Sequence, residues 1–423
     1  MRKKYSKILL FAATILLILF ICFNSIWIIF GKNKIYAEDL IYLNQIKYNY
    51  EYNPEYTFSN LVYGYYSPIP KIISSIFFKN GNIPVKELFF LNIFMIIISI
   101  CLISKVLEKI YDLNTALIFI IVFLSFPATT YFLRTLYDQI FLLFFFSLSF
   151  YFLTKSENFT NKKYSVLYGI VSGLFLLTRH TAAIYFFSHF IFIYAKNKKI
   201  ITLNNIRTKY YYEILVISLY IIIQSLILMY GGKYKFGICS ALMIIFLIVL
   251  INNLKNNQKL TNILVSLAIT VVISFPWYFI RGVNIFNEYD LGTTPYLSTI
   301  NFVYYLIVFI TTHANIIISF LILIILFKKN KKDIYKWFYI SALLIPYVIL
   351  SLFPLKNFSV SFLTLMPISI LTAIKFPNIK KISSKIMIIV FSFFIIYNSY
   401  PFENDNPTLK YGVSLELPFT LTF

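Results

Sequence analysis

The sequence predicts an all-α protein, a polytopic membrane helix bundle of about 11–13 spans with amphipathic helices in its first outer loop. Three observations carry this. Hydrophobic residues make up 59% of the 423, mean hydropathy is +0.77, and charged residues are only 13%, where a soluble domain is roughly 45–50% apolar and about 25% charged. Apolar runs long enough to cross a bilayer recur along the whole chain, continuous rather than alternating, which favours helices over a β-barrel. The basic residues cluster in short loops between the runs, the pattern of cytoplasmic loops.

The first run, Ile8 to Phe30, follows a basic Arg2-Lys3-Lys4 start. It exceeds the apolar core of a signal peptide, about 7–15 residues, and reads as a retained signal anchor. Further spans are expected at 83–104, 115–132, 139–154, 165–178, 182–195, 211–230, 236–252, 261–280, 301–327, 335–353, 357–374 and 385–400. The runs at 165–178 and 182–195 are short and read as a hairpin broken at Thr178-Arg179-His180, tolerated at depth where a break lines a cavity. With the N-terminus in the cytoplasm, 25 of the 38 Lys and Arg fall inside and 11 of the 16 acids fall outside. The whole chain, 1–423, reads as one integral membrane domain; its longest extramembrane stretch is 31–82, and 281–300 is a second notable outer loop. Pro54, Pro68, Pro70 and Pro84 divide 31–82 into short segments expected to lie along the outer membrane surface.

A net charge of +22 raises nucleic acid as a partner, but its confinement to loops between spans argues for topology instead. Cys22, Cys101 and Cys239 all lie in apolar runs, without metal or disulfide spacing. His180, His189 and His313 are the only histidines and have no HExxH-like spacing. No GxxxxGK[ST], GxGxxG or GxSxG motif is present.

In a chain that avoids acids, Glu38-Asp39 in YAEDLIYLNQ stands just past the first span. A carboxylate beside an apolar surface gains basicity and suits acceptance of a hydroxyl proton; a helix N-terminus stabilised by the backbone dipole is the competing reading. Asp138 follows the third run on the same face, with Arg134 four residues earlier. The two are spaced for an i, i+4 rim pair, or for Asp138 to place an acceptor or metal while Arg134 meets a phosphate. Arg134, Arg179, Arg281 and Lys356 are candidate phosphate partners, with Lys71 a further option; the alternative for each is snorkelling to the interface. Tyr63, Tyr65 and Tyr66 in VYGYYSPIPKI fit either sugar stacking or an aromatic belt.

Several stretches in order resemble the C-type glycosyltransferase superfamily (GT-C), in particular its family 39-like branch of protein O-mannosyltransferases and lipid A aminoarabinose transferases. Glu38-Asp39-Leu40-Ile41-Tyr42 is similar to that family's DExxY with the acids exchanged, and Tyr65-Tyr66-Ser67-Pro68-Ile69-Pro70 to its HPPLYY without the His. LNIFMIIISICLISKVLEKIY resembles its second span. FLSFPATTYFLRTLYDQIFLLFF followed by YGIVSGLFLLTRHTAAIYFF resembles its Pro-ended span, loop acid and GLxxLT[KR] helix. SFPWYFIRG and LTLMPISIL resemble later spans, the latter lacking the usual preceding RY.

The resemblance implies a GT-C fold and a hexosyl- or pentosyltransferase. Its sugar would come from a polyprenyl-phosphate donor and go to a lipid, glycan or protein acceptor, at the extracytoplasmic face of a bacterial cytoplasmic membrane. It implies Glu38 as base, Asp39 as its neighbour and Asp138 as the second-loop acid, with the exchanged order leaving either Glu38 or Asp39 as the base; Tyr42, Tyr63, Tyr65, Tyr66 and Lys71 are further expected substrate contacts. No soluble cofactor is expected; some relatives bind a divalent metal and others need none. The rival readings are a polyprenyl-linked oligosaccharide flippase, which calls for intramembrane charges and repeat symmetry, and an O-antigen-type polymerase with key residues in large late loops.

Overall fold

The computed structural model describes residues 2–30, 67–77, 84–136, 138–179, 181–197, 258–288, 306–326, 334–352, 362–378 and 381–399. Among these the chain is helical and has no β-strand, in keeping with an all-α polytopic membrane bundle. The expected spans 211–230 and 236–252 lie outside the described residues. In chain order the helices are α1 (Arg2–Phe30), α2 (Pro68–Ser75), α3 (Val85–Ile110), α4 (Leu113–Ser125), α5 (Pro127–Leu133), α6 (Gln139–Lys155) and α7 (Lys162–Leu176). There follow α8 (Ala182–Asn197), α9 (Gln258–Glu288), α10 (Ile316–Leu326), α11 (Ile334–Leu352), α12 (Leu365–Lys375) and α13 (Lys381–Ser399). Met1–Phe144 with Leu291–Phe423 form one compact unit and Phe145–Asp290 another.

By length and composition α1 (over Lys7–Phe30) and α3 are each able to cross a membrane, and α4 with α5 make a third span if counted as one bent element. Shorter apolar stretches are Gln139–Lys155, Gln258–Ser274 and Ile316–Leu326 among others.

In the first unit α4 is the central helix. It is apolar all round, so it is buried on nearly every side, against α1, α3, α12 and α13. It starts at Asp112, whose carboxylate accepts the Thr115 N–H at 2.7 Å, and its carboxyl end lies inside the bundle.

The expected single span 115–132 is corrected here: α4 and α5 meet at a 69° bend. The cause is Pro127. It pushes Phe126 into extended backbone (φ −70°, ψ 126°) and then takes the first position of α5, where its missing N–H costs nothing. Carbonyls released at the break find side-chain donors: Thr129 Oγ1 donates to Phe123 O at 2.9 Å and Asn398 Nδ2 to Ser125 O at 2.9 Å.

The expected span 301–327 is likewise interrupted. A π-helical turn, Phe309–His313, precedes Asn315, whose φ of 69° is of the left-handed kind that Asn tolerates. The Asn315 carboxamide oxygen then accepts the Ile317 N–H at 2.9 Å and starts α10. Phe309 and His313 of this turn pack edge-on against Phe126 and Phe132 at the α4–α5 bend.

In the second unit the expected hairpin broken near 178–180 is present as α7 and α8. His189 of α8 reaches back to Tyr168 of α7, its Nδ1 3.1 Å from the phenol oxygen. The most extensive helix contact joins α7 to α9. Gly169 and Gly173, four apart, let the backbones touch: a Cβ at Gly169 would lie 2.5 Å from Ser266 O. Close approach makes interhelical hydrogen bonds to backbone carbonyls available. Asn262 Nδ2 donates to Phe159 O at 2.8 Å, Ser266 Oγ to Ser165 O at 2.7 Å and Thr270 Oγ1 to Gly169 O at 3.0 Å.

Candidate functional site

Four helix ends meet at one end of the first unit: the carboxyl ends of α1, α5 and α13 and the amino end of α3. The antiparallel alternation inferred from the charges assigns all four to the same side. Arg134 is their common point. It closes α5, its N–H donating to Thr130 O at 3.1 Å and Tyr131 O at 3.0 Å, and it is 3% exposed.

A buried guanidinium must be hydrogen-bonded to be tolerated. Arg134 Nε donates to Asn24 Oδ1 at 2.9 Å and Nη2 donates to Ser399 O at 2.6 Å. The guanidinium carbon lies 4.9 Å from the centre of the Trp27 ring, a cation–π distance. Trp27 is held in turn edge-on by Phe89 of α3, 5.2 Å between centroids. Asn24 presents its oxygen because its Nδ2 is donated to Phe20 O at 2.8 Å. Asn92 of α3 donates to both carbonyls flanking Arg134, Leu133 O at 3.2 Å and Thr135 O at 2.8 Å. Among the described residues, four further buried polar atoms on the same helices, Trp27 Nε1, Thr130 Oγ1, Asn398 Oδ1 and Ser399 Oγ, have no hydrogen-bond partner.

Asp138 follows this clamp by four residues and is half-buried; its carbonyl accepts the Leu142 N–H at 3.0 Å, so it begins α6. Arg134 ends one helix and Asp138 precedes the next, so their i, i+4 spacing is not that of a single helix. Lys71, on α2, is completely buried together with Ser74 on the same short helix. Arg179 is half-buried in the α7–α8 turn of the second unit. Arg281 lies on α9 in that unit, its side chain outside what is described. Glu38, Asp39, Tyr42, Tyr63, Tyr65, Tyr66, His180 and Lys356 lie outside the described residues. Among the described residues no three of His, Cys, Asp and Glu are grouped to hold a metal ion.

The structure thus joins Arg134 to Asn24, Trp27 and Ser399, and its flanking carbonyls to Asn92, all residues that sequence reading passed over. A signal was present. Each Asn stands in a strongly apolar helix, where an amide is costly unless it bonds.

Residues 67–228 fit the family model described as dolichyl-phosphate-mannose-protein mannosyltransferase. The matched stretch contains Lys71, Asn92, Arg134, Asp138 and Arg179. No curated protein and no solved structure matches the chain. With the apolar helices, the family match supports an integral membrane glycosyltransferase of the GT-C type.

Proposed function

We propose that the protein moves a sugar from a polyprenyl-phosphate donor to an acceptor hydroxyl at the extracytoplasmic face of the membrane. The observation that carries this reading is the mannosyltransferase family match across 67–228, the part of the chain that holds Lys71, Arg134 and Asp138. The acceptor oxygen attacks the anomeric carbon as the bond from that carbon to the phosphate oxygen breaks, with inversion. Glu38 or Asp39 accepts the hydroxyl proton, and the phosphate leaves with the bonding electron pair on its lipid. Asp138 helps to place the acceptor. Arg281 and Lys356, with Arg179, are the cations proposed for the phosphate, whose charge grows as the bond breaks; Lys71, completely buried, is not among them. Tyr42, Tyr63, Tyr65 and Tyr66 are proposed to contact the substrates. The lipid tail runs between helices, and no soluble cofactor enters the scheme.

The test is transfer from defined polyprenyl-phosphate sugars by the purified full chain, comparing wild type with Glu38→Gln and Asp39→Asn. Loss of the base lowers turnover by about 10²–10⁴-fold in one of the two variants. Undiminished turnover in both removes the proposed base.

A further inference from the structure

We infer that Arg134 is a positioning residue: with Asn24 and Asn92 it clamps the roots of two loops together and fixes where Asp138 stands. The inference rests on the glycosyltransferase reading for what Asp138 does, but the clamp itself rests on geometry alone. A phosphate partner has to present free N–H groups to a lipid-accessible cleft. The Arg134 guanidinium instead is buried, and its described hydrogen bonds go to Asn24 and to the Ser399 carbonyl, with its face against Trp27.

Those partners determine what the clamp controls. Asn24 and Trp27 lie in the last two turns of α1, whose end at Phe30 is the root of the loop that carries Glu38 and Asp39. Leu133 and Thr135, pinned by Asn92, flank Arg134 at the root of the segment that carries Asp138. Ser399 closes α13. One side chain therefore ties the first-loop root, the second-loop root and the last helix. Asn24 contributes specifically, since its amide nitrogen is held by Phe20 O and its oxygen faces Nε. Lysine at 134 has one ammonium in place of the fork and cannot bond both Asn24 and Ser399 along the same directions.

Two measurements on the full chain test this. The first is steady-state transfer by Arg134→Lys, Asn24→Ala, their double variant and Asn24→Asp. A clamp predicts that Arg134→Lys and Asn24→Ala lower kcat by about 10- to 100-fold, the cost of misplacing a catalytic group by roughly 1 Å, while KM for the donor stays within about twofold. The double variant is no worse than the poorer single one, because the pair acts as a unit. Asn24→Asp keeps an acceptor facing Nε and recovers most of the loss. A donor KM raised tenfold by Arg134→Lys at unchanged kcat, with Asn24→Ala silent, overturns the clamp and makes Arg134 a phosphate ligand.

The second measurement does not need turnover. Asp138→Cys is introduced into a chain lacking Cys22, Cys101 and Cys239, and its labelling rate by a small maleimide is compared with and without Arg134→Lys. A severalfold change is expected. If wild type transfers no sugar and the labelling rate still responds, the functional reading fails and the clamp stands. If transfer is robust and neither kcat nor labelling responds, the clamp fails.

Discussion

Gly169→Ala sets two physical effects against each other with opposite signs. Alanine is the better helix former by about 1 kcal/mol, so propensity alone makes the substitution stabilising. The structure predicts the reverse. The added methyl would lie 2.5 Å from Ser266 O and 2.9 Å from Ser266 Cα. A carbon–oxygen contact settles at about 3.3 Å or more, so α7 and α9 must part locally by roughly 0.8 Å. Both obstructing atoms are backbone, and neither can turn aside. Overpacking of this kind costs about 1–3 kcal/mol.

Separation also lengthens the bonds from Ser266 Oγ to Ser165 O and from Thr270 Oγ1 to Gly169 O, at 2.7 and 3.0 Å. Interhelical hydrogen bonds in membranes average about 0.6 kcal/mol each, so the two add roughly 1 kcal/mol, about what propensity returns. Net destabilisation is about 1–3 kcal/mol. The assay is reversible unfolding of the purified full chain in mixed micelles of increasing denaturing detergent, with Ile170→Ala, an exposed position on the same helix, as a control. A midpoint for Gly169→Ala equal to or above that of wild type refutes the packing argument.

Other outcomes follow from the same structure. Asn262→Ala leaves the buried Phe159 carbonyl without its 2.8 Å donor and should destabilise by about 1–3 kcal/mol in the same unfolding assay. Asn158→Val places a β-branched residue at φ 63°, between Glu157 at 51° and Phe159 at 65°, and should cost about 1–2 kcal/mol there. Asp138→Asn should lower transfer by about 10²-fold or more while leaving the unfolding midpoint within about 0.5 kcal/mol, which separates a chemical role from a structural one. The proposed orientation predicts that, in a chain lacking its native cysteines, a membrane-impermeant maleimide added to intact cells labels Ile76→Cys and spares Lys162→Cys, both exposed positions; labelling confined to position 162 reverses the topology.

Much of the fold was readable because lipid leaves the backbone few choices. Continuous apolar runs foretold helices, and the ends of α1, α3, α5 and α13 assigned to one side by charge do meet. What escaped were interruptions written in single residues. Pro127 inside an apolar run was read through, although its ring dictates the bend. Asn315 was also read through, and its left-handed backbone ends a π-turn. The four-residue spacing of Asn262, Ser266, Thr270 and Ser274 opposite Gly169 and Gly173 is a packing stripe visible in sequence once the two helices are paired, but no local pattern tells which helices pair. For the site, spacing suggested that Arg134 and Asp138 share a helix face, whereas a helix end intervenes and Arg134 turns to Asn24, 110 positions earlier. Such long-range partners are set by tertiary packing, and the apolar helices that contain them look alike from the outside.

The claim on which the account depends is that a lipid-linked sugar is cleaved at its anomeric bond. Purified full chain in liposomes, supplied with a doubly labelled polyprenyl-phosphate sugar and an acceptor, should release polyprenyl phosphate and form glycosylated acceptor in a 1:1 ratio. Passage of the intact lipid-linked sugar from one leaflet to the other, with neither product formed, would contradict it and make the protein a transporter.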